Sequence, residues 1–232
     1  MKVIVIGGSS GIGEAVARMF VQSEAEVIIA GRNRERLEAA LQRLAGAHGE
    51  IMDAASPESA ARFFERTGHC DHLIFTASGG RGAGSIASVS IDDIKSGFEA
   101  KLFAQLTSLK AALPFVGQSI TLISAATAAA AMPGTVGLAA INGAVESMVR
   151  PLAVELAPIR VNAVRPGVVD TPWWNGVPKE YKETVFRQTS SALPVKRVGK
   201  PDDVAAAVFM IANNGFITGT IVDVSGGATL AR

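Results

Sequence analysis

Short strand-like runs alternate with amphipathic, helix-like stretches along almost the whole chain. The run at 3–6 consists of four β-forming residues that are apolar on both faces, which is typical of a buried parallel strand. Further strand signals lie at 25–32, 48–54, 70–76, 119–124, 159–164 and 219–227. This alternation predicts a parallel sheet covered by helices on both faces. We therefore expect one α/β domain over 1–232, a doubly wound, Rossmann-type fold with about seven strands.

Helices are predicted at 14–20, 35–44, 57–67, 91–113 and 137–156. The segment 172–200 has a different character, because it carries both tryptophans, the only tyrosine (Tyr181) and several prolines. We expect this segment to be mobile and to cover a substrate, and we do not expect Tyr181 to serve as a proton donor.

Composition excludes several classes of partner. The formal net charge of +1 gives no electrostatic basis for binding nucleic acid or an anionic membrane. The longest apolar run, 125–133, is too short and too rich in alanine to span a bilayer. Cys70 is the only cysteine, and we expect a buried structural thiol in a reducing compartment. We expect a cytoplasmic protein without a signal peptide or a metal site, acting on a small molecule.

A glycine-rich turn follows the first strand directly and leads into a helix. Glycine lets the backbone turn sharply and approach a ligand closely. The free N–H groups and the positive dipole end of the helix favour a phosphate there. A turn that needs glycine for packing alone is the alternative. The predicted nucleotide-binding residues are Gly7, Ser9, Ser10, Gly11, Ile12 and Gly13.

The end of the second strand indicates which dinucleotide is bound. An acidic residue there would hold both ribose hydroxyls of NAD, and this sequence has Gly31 followed by Arg32, Asn33 and Arg34. A guanidinium can bind a 2′-phosphate through charge-assisted hydrogen bonds. A solvated, charged loop is the alternative. We expect NADP(H), bound in part by Arg32 and Asn33.

The spacing of Gly7, Gly11 and Gly13 resembles the Thr-Gly-x3-Gly-Ile-Gly fingerprint of the short-chain dehydrogenase/reductase family, with Ile6 in place of the threonine. The segment 166–171 is similar to the Pro-Gly-x3-Thr turn of that family. The segments 193–203 and 219–227 resemble the family's return into its last helix and its final strand. The resemblance covers nearly the whole chain.

This resemblance implies further cofactor contacts. Asp53, with Ala54, would lie beside the adenine amino group, although Asp53 could also cap the following helix. Small residues at 77–79, where the family has part of Asn-Asn-Ala-Gly, would let the backbone pass close to the adenosine ribose. The turn at 166–171 would meet the nicotinamide carboxamide. The residues implied at these last two places are Ala77, Ser78, Gly79, Pro166, Gly167, Val169 and Thr171.

The resemblance ends at the family's catalytic positions. The family uses a tyrosine as proton donor, a lysine four residues later, a serine about thirteen residues before the tyrosine, and an asparagine on the preceding long helix. Aligned from 150–158, the tyrosine position is Leu138 and the lysine position is Asn142. The serine position is Ala125, and the asparagine position is Lys101.

Leu138 cannot donate a proton, so the chemistry must lie elsewhere if the protein is an enzyme. Lys101 could polarise an oxygen or donate a proton. Alternatively, Lys101 is a surface lysine that buries its aliphatic chain and keeps its ammonium group in water. Ser124 could take the serine's role by a shift of one residue, and Asn142 could bond the nicotinamide ribose. Asp170 is a weaker candidate, because turns commonly contain aspartate.

We therefore predict an NADP(H)-dependent oxidoreductase with a non-standard site, which transfers a hydride to a small carbonyl, an imine or another activated electrophile. An iminium ion would need no proton donor. The alternatives are an inactive NADP-binding sensor or scaffold, and a structural protein with a defunct site. The resemblance also implies a homodimer or homotetramer built on the helices at 91–113 and 137–156.

Overall fold

The computed structural model describes residues 1–77 and 79–230, and Ser78 lies outside the described residues. The strands pair in the order β3-β2-β1-β4-β5-β6-β7, and every pairing is parallel. They are β1 (Lys2–Ile6), β2 (Glu26–Gly31), β3 (Ala47–Ile51), β4 (Cys70–Phe75), β5 (Val116–Ile123), β6 (Arg160–Pro166) and β7 (Ile221–Val224).

Eight α-helices connect or flank these strands in the described part of the chain. They are α1 (Gly11–Gln22), α2 (Arg34–Arg43), α3 (Pro57–Thr67), α4 (Ile91–Phe98), α5 (Ala104–Ala112), α6 (Val136–Glu155), α7 (Lys179–Ala192) and α8 (Pro201–Asn213). The expected doubly wound α/β domain with a seven-stranded parallel sheet is confirmed. Among the described residues, no helix combines the length and apolar character that crossing a bilayer would need.

Two hydrophobic cores lie on opposite faces of the sheet, because successive side chains of a strand point to opposite sides. Val3 and Val5 of β1 pack into the core that α1, α2 and α8 cover. Ile4 and Ile6 pack into the core beneath α3, α5 and α6. All four side chains are at most 2% exposed, and burying each contributes about 1.5–3 kcal/mol to stability.

The order of the strands reverses direction at β1, which has β2 on one side and β4 on the other. Crevices that bind ligands in such sheets form at the carboxyl ends of the strands around this switch point. The backbone N–H groups of Thr76 and Ala77 both donate to the carbonyl of Ile6, at 2.8 and 3.0 Å. The segment after β4 therefore lies against the glycine turn that follows β1.

Some element boundaries differ from the sequence-based expectation. The long helix expected at 91–113 is interrupted by a π-helical turn, Glu99–Phe103, which contains Lys101. Such turns are rare and are frequent at functional sites. The third strand ends at Ile51 rather than continuing to 54. The sixth strand extends to Pro166, so Arg165 lies within the sheet. The segment 172–200, which was expected to cover a substrate, contains α7, a helix that the sequence analysis did not assign.

Two titratable side chains of β4 lie at the opposite end of the sheet from the switch-point crevice. Burial raises the pKa of the Cys70 thiol to about 12, so this thiol is unreactive at neutral pH. Burial also lowers the pKa of His72 to about 4, and its Nδ1 lies 2.8 Å from Ser119 Oγ. Both residues belong to the packed interior.

Replacing Gly13 with alanine is expected to destabilise the fold, because the added Cβ would lie 2.8 Å from the carbonyl carbon of Gly7. We expect the free energy of unfolding to fall by about 1–3 kcal/mol, as measured by urea denaturation. Gly143→Ala in α6 is the matched control, because nothing lies within 4 Å of its added Cβ. That variant should keep its stability or gain up to about 1 kcal/mol. Equal stability of the two variants would contradict the close packing of the turn.

Candidate functional site

The glycine turn is held tightly against the sheet at the switch point. Gly7 and Gly11 have φ of +87° and +56°, a region that side chains with a Cβ rarely adopt. A Cβ on Gly7 would lie 2.8 Å from Ala77 Cα, and a Cβ on Gly11 would lie 3.3 Å from the side chain of Thr171. The turn therefore meets the segment after β4 on one side and the turn after β6 on the other.

The N-terminus of α1 opens towards this crevice. Ser10 is the N-cap residue, and its side chain makes no capping hydrogen bond. Ser9 lies beside the end of β2, where a Cβ on Gly31 would be 3.5 Å from Ser9 Oγ. Two hydroxyl groups, together with the helix dipole, are thus available to an anionic ligand.

Arg32 follows β2 and is exposed, and within 1–77 and 79–230 its guanidinium has no ion pair. Asn33 has a structural task as well, because its Oδ1 caps α2 by accepting a hydrogen bond from Arg36 N at 2.8 Å. A cavity of about 460 Å³ separates Arg32 from the start of the helical segment that carries Lys101. Its lining includes Ala55, Lys95 and Ala100.

Asp53 shapes the loop after β3 rather than capping α3. Its Oδ1 accepts a hydrogen bond from Ala55 N at 3.1 Å, and the N-cap of α3 is Ser56. The carbonyl of Ala54 accepts a hydrogen bond from Ser108 Oγ at 2.9 Å, which ties the loop to α5. The capping alternative for Asp53 is therefore wrong.

Small residues allow close approach at two more places around the crevice. A Cβ on Gly79 would lie 2.8 Å from Ala100 Cβ, so the segment after β4 packs directly on the π-helical turn. A Cβ on Gly167 would lie 2.8 Å from the carbonyl oxygen of Ser225, so this glycine lets the ends of β6 and β7 meet. Pro166 pairs with Val224 in the same place.

The three residues predicted to be catalytic come together at the carboxyl end of β5. Lys101 Nζ donates to Asn142 Oδ1 at 2.6 Å and to the backbone carbonyl of Ser124 at 3.2 Å. Asn142 Nδ2 in turn donates to the Leu138 carbonyl at 2.8 Å and to Thr127 Oγ1 at 3.2 Å. Lys101 is only 6% exposed, so it is not a surface lysine with its ammonium in water.

Ser124 takes part in this cluster through its backbone rather than its side chain. Its hydroxyl donates to Glu146 Oε1 at 2.7 Å. Its backbone N–H donates to the Val164 carbonyl at 3.0 Å, which completes the sheet at this point.

Glu146 and Arg165 form an ion pair behind Ser124 that the sequence analysis missed. Arg165 Nε and Nη2 donate to the two carboxylate oxygens of Glu146, at 2.8 and 2.5 Å. Arg165 Nη1 also contacts Asp223 Oδ2 at 3.3 Å. One signal was present in the sequence: Glu146 is four residues after Asn142, which places both on the same face of a helix.

The environment of Lys101 brings the pKa of its ammonium group closer to neutral pH. Burial lowers the pKa of its ammonium group to about 8, and the negative charge of Glu146 opposes that shift. A group with this pKa is mostly protonated at pH 7 and can still release its proton, so it can act as a hydrogen-bond donor or a general acid.

Trp173 and Trp174 contact the segments on either side of the crevice. Trp173 packs over Gly80, where an added Cβ would lie 3.1 Å from the indole nitrogen. Trp174 donates from Nε1 to the Val169 carbonyl at 3.0 Å. Asp170 is bound by Lys182 at 2.8 Å at the surface, and Tyr181 on α7 is 58% exposed. Neither Asp170 nor Tyr181 belongs to the Lys101 cluster.

Comparison with known proteins identifies the family to which this chain belongs. The family model described as Enoyl-(Acyl carrier protein) reductase matches residues 7–229. The short-chain dehydrogenase/reductase ATR9 of Stachybotrys chlorohalonatus is 33% identical, over 99% of this chain and 97% of its own length.

Solved structures agree with that assignment. A small-chain dehydrogenase crystallised in complex with NADPH superposes with a TM-score of 0.87 at 32% identity, covering 100% of this chain and 99% of that one. The MalC reductase/Diels-Alderase of Malbranchea aurantiaca superposes with a TM-score of 0.89 at 28% identity, covering 99% and 96%. This chain belongs to the short-chain dehydrogenase/reductase family.

Proposed function

We propose that this protein binds NADP(H) across the carboxyl ends of β1, β2, β4 and β6. A Cβ on Gly7 or Gly11 would contact Ala77 or Thr171, so the turn needs glycine for its packing, and the N-terminus of α1 that follows it suits a phosphate. Arg32 is an exposed cation beside the end of β2 and is suited to a 2′-phosphate. The NADPH complex of a similar dehydrogenase supports this choice of cofactor.

The contacts of the cofactor follow the order of the strand ends. The pyrophosphate would lie on the N-terminus of α1, against Ser9, Ser10, Gly11, Ile12 and Gly13. The adenosine would lie by Asp53, Ala54, Ala77 and Gly79, with its 2′-phosphate towards Arg32 and Asn33. The carboxamide would lie at the turn that contains Pro166, Gly167, Val169 and Thr171, which contacts the glycine turn through Thr171.

We infer that the protein is an oxidoreductase in which Lys101 supplies the positive charge of the active site. Its family places a lysine on the helix equivalent to α6 and an asparagine on the preceding helix, and this chain has Asn142 and Lys101 at those positions. The hydrogen bond of 2.6 Å between the two side chains carries this proposal. It brings an ammonium group from the π-helical turn to the position on α6 where the family has its lysine.

The substrate that fits this site best has an oxygen that gains negative charge. When bound, NADPH supplies a hydride to an electrophilic carbon. An ammonium group has three N–H donors, of which Lys101 directs two to Ser124 and Asn142. The third can stabilise the developing oxyanion of a small carbonyl or unsaturated carbonyl, and Lys101 can then donate the proton.

A preformed iminium ion fits less well while Lys101 is protonated. Two unit charges of the same sign about 4 Å apart repel each other by about 4 kcal/mol at an effective dielectric constant of 20. A neutral imine that acquires its proton during the reaction meets no such repulsion and remains compatible with the site.

A sensor or scaffold that binds NADP(H) without turnover is the second candidate. Leu138 favours it, because an apolar side chain stands where the family has its proton donor. Against it stands the buried, pre-positioned ammonium of Lys101, which binding of the cofactor alone does not require.

We further propose that 172–200 closes over the substrate and that the protein forms a homodimer or homotetramer. Trp173 and Trp174 link this segment to both sides of the crevice. Exposed apolar side chains on the π-helical turn and on α6, namely Phe103, Val136 and Val154, support association through these helices. The cytoplasmic location stays a prediction.

Arg32→Ala should weaken NADPH binding by about tenfold and leave NADH binding unchanged, because only the 2′-phosphate loses a charged partner. Fluorescence titration with each nucleotide measures both affinities. Arg62→Ala, which removes an exposed arginine of α3, is the control and should change neither. Equal loss of affinity for both nucleotides would contradict the assignment of Arg32 to the 2′-phosphate.

Lys101→Met should lower turnover by about 10²–10⁴-fold, because the site loses its acid and its electrostatic stabilisation together. The assay is NADPH oxidation with the best carbonyl substrate from a broad screen, and Lys110→Met on α5 is the control. The wild-type rate should fall as the pH rises through about 8, since the protonated form of Lys101 is the active one. Wild-type rates in Lys101→Met would refute the proposed role.

A matched pair of substrates tests the preference for an oxyanion. Between pH 7 and pH 9 we expect the rate for a cyclic ketone to fall relative to the rate for the corresponding N-alkyl iminium ion, because Lys101 is mostly protonated at pH 7 and loses its charge above pH 8. Both rates are followed by NADPH oxidation. A ratio of the two rates that does not change over this pH range would contradict the proposed role of the Lys101 charge.

A further inference from the structure

We propose that Glu146 is a positioning residue of this site, which holds Lys101 in place through Ser124 and provides the countercharge for its buried ammonium. The inference rests on the proposed role of Lys101 in the site. It concerns how that side chain is kept charged and oriented.

Ser124 connects Lys101 to Glu146 through two different groups. Its backbone carbonyl accepts from Lys101 Nζ at 3.2 Å, and its hydroxyl donates to Glu146 Oε1 at 2.7 Å. The residue is only 2% exposed, so water does not readily replace either bond. The carbonyl of Ser124 meets the ammonium and its hydroxyl meets the carboxylate, so this one buried residue links the two charged groups.

Glu146 is itself held rigidly by a second charged pair. Arg165 binds both of its carboxylate oxygens, and Arg165 also contacts Asp223. The side chains of Arg165 and Glu146 are 18% and 11% exposed. The hydrogen bond from Arg165 to Glu146 raises the pKa of the guanidinium, so Arg165 stays charged throughout the range in which Lys101 titrates.

Three further charged side chains belong to this cluster: Glu146 on α6, Arg165 on β6 and Asp223 on β7. With Lys101 they are two cations and two anions, and Glu146 is the one whose charge acts on Lys101. Removing Glu146 would leave a buried ammonium beside the Arg165–Asp223 pair with no acid of its own. A buried charge without a partner is expensive and tends to lose its proton.

A purely structural role for Glu146 makes a different prediction. If Glu146 and Arg165 only clamp α6 to β6, removing the carboxylate lowers stability and leaves the titration of Lys101 as it was. If Glu146 acts on Lys101, the titration moves in a defined direction, because the Glu146 charge raises the pKa of Lys101 against the effect of burial.

The test is an NMR titration of the full-length protein labelled with ¹³C at lysine Cε. The Lys101 signal is identified by its loss in Lys101→Met. In Glu146→Gln, we expect its titration midpoint to fall by about half a pH unit or more. Glu155→Gln, an exposed position on the same helix, is the matched control and should leave the midpoint unchanged.

An unchanged Lys101 midpoint in folded Glu146→Gln would overturn the proposal. If that variant does not fold, Glu146→Asp carries the test, because it keeps a carboxylate for Arg165 and moves the negative charge away from Ser124 and Lys101 by one methylene. Its midpoint should also fall, and an unchanged midpoint would again overturn the proposal. The titration needs neither cofactor nor substrate. Full activity of Lys101→Met would defeat the proposed function and leave this result standing.

Discussion

The removal of the Lys101 ammonium from water determines much of the architecture around the site. A charge this deeply buried persists only where acceptors and an opposite charge surround it. The π-helical turn places the side chain, β5 and α6 supply the oxygens that accept its hydrogen bonds, and β6 supplies the arginine that fixes Glu146. Four elements therefore converge on one amine at the carboxyl edge of the sheet.

The glycine turn and its neighbours depend on a different constraint, the close packing of residues that have no side chain. Gly7 lies against the segment after β4, Gly11 lies against Thr171, and Gly79 lies against the π-helical turn. Each contact joins one segment at the carboxyl edge to a neighbouring strand end or to the helical segment that carries Lys101. The glycine turn and the charged cluster are therefore connected through packed contacts, which would hold a bound cofactor and Lys101 in a fixed geometry.

Local patterns allowed much of this fold to be predicted. Alternating strands and helices and the turn at Gly7 to Gly13 identified the fold, and alignment from 150–158 identified Lys101 and Asn142 as residues of one site. The π-helical turn could not be predicted, because a single inserted residue leaves the helical pattern nearly intact. The Glu146–Arg165 pair joins α6 to β6 across 19 positions, so it became visible only in three dimensions. The hydrogen bond from the Ser124 hydroxyl to Glu146 is also a contact between residues far apart in the sequence, so the sequence could not show it.

A crystal structure of the protein with NADPH bound would decide whether the buried ammonium belongs to the reaction centre. We expect Lys101 Nζ to lie within about 3.2 Å of a nicotinamide ribose hydroxyl, or of a substrate oxygen beside the nicotinamide ring. An NADPH complex in which Lys101 keeps only its bonds to Ser124 and Asn142, with Leu138 between it and the nicotinamide, would contradict the proposed chemistry.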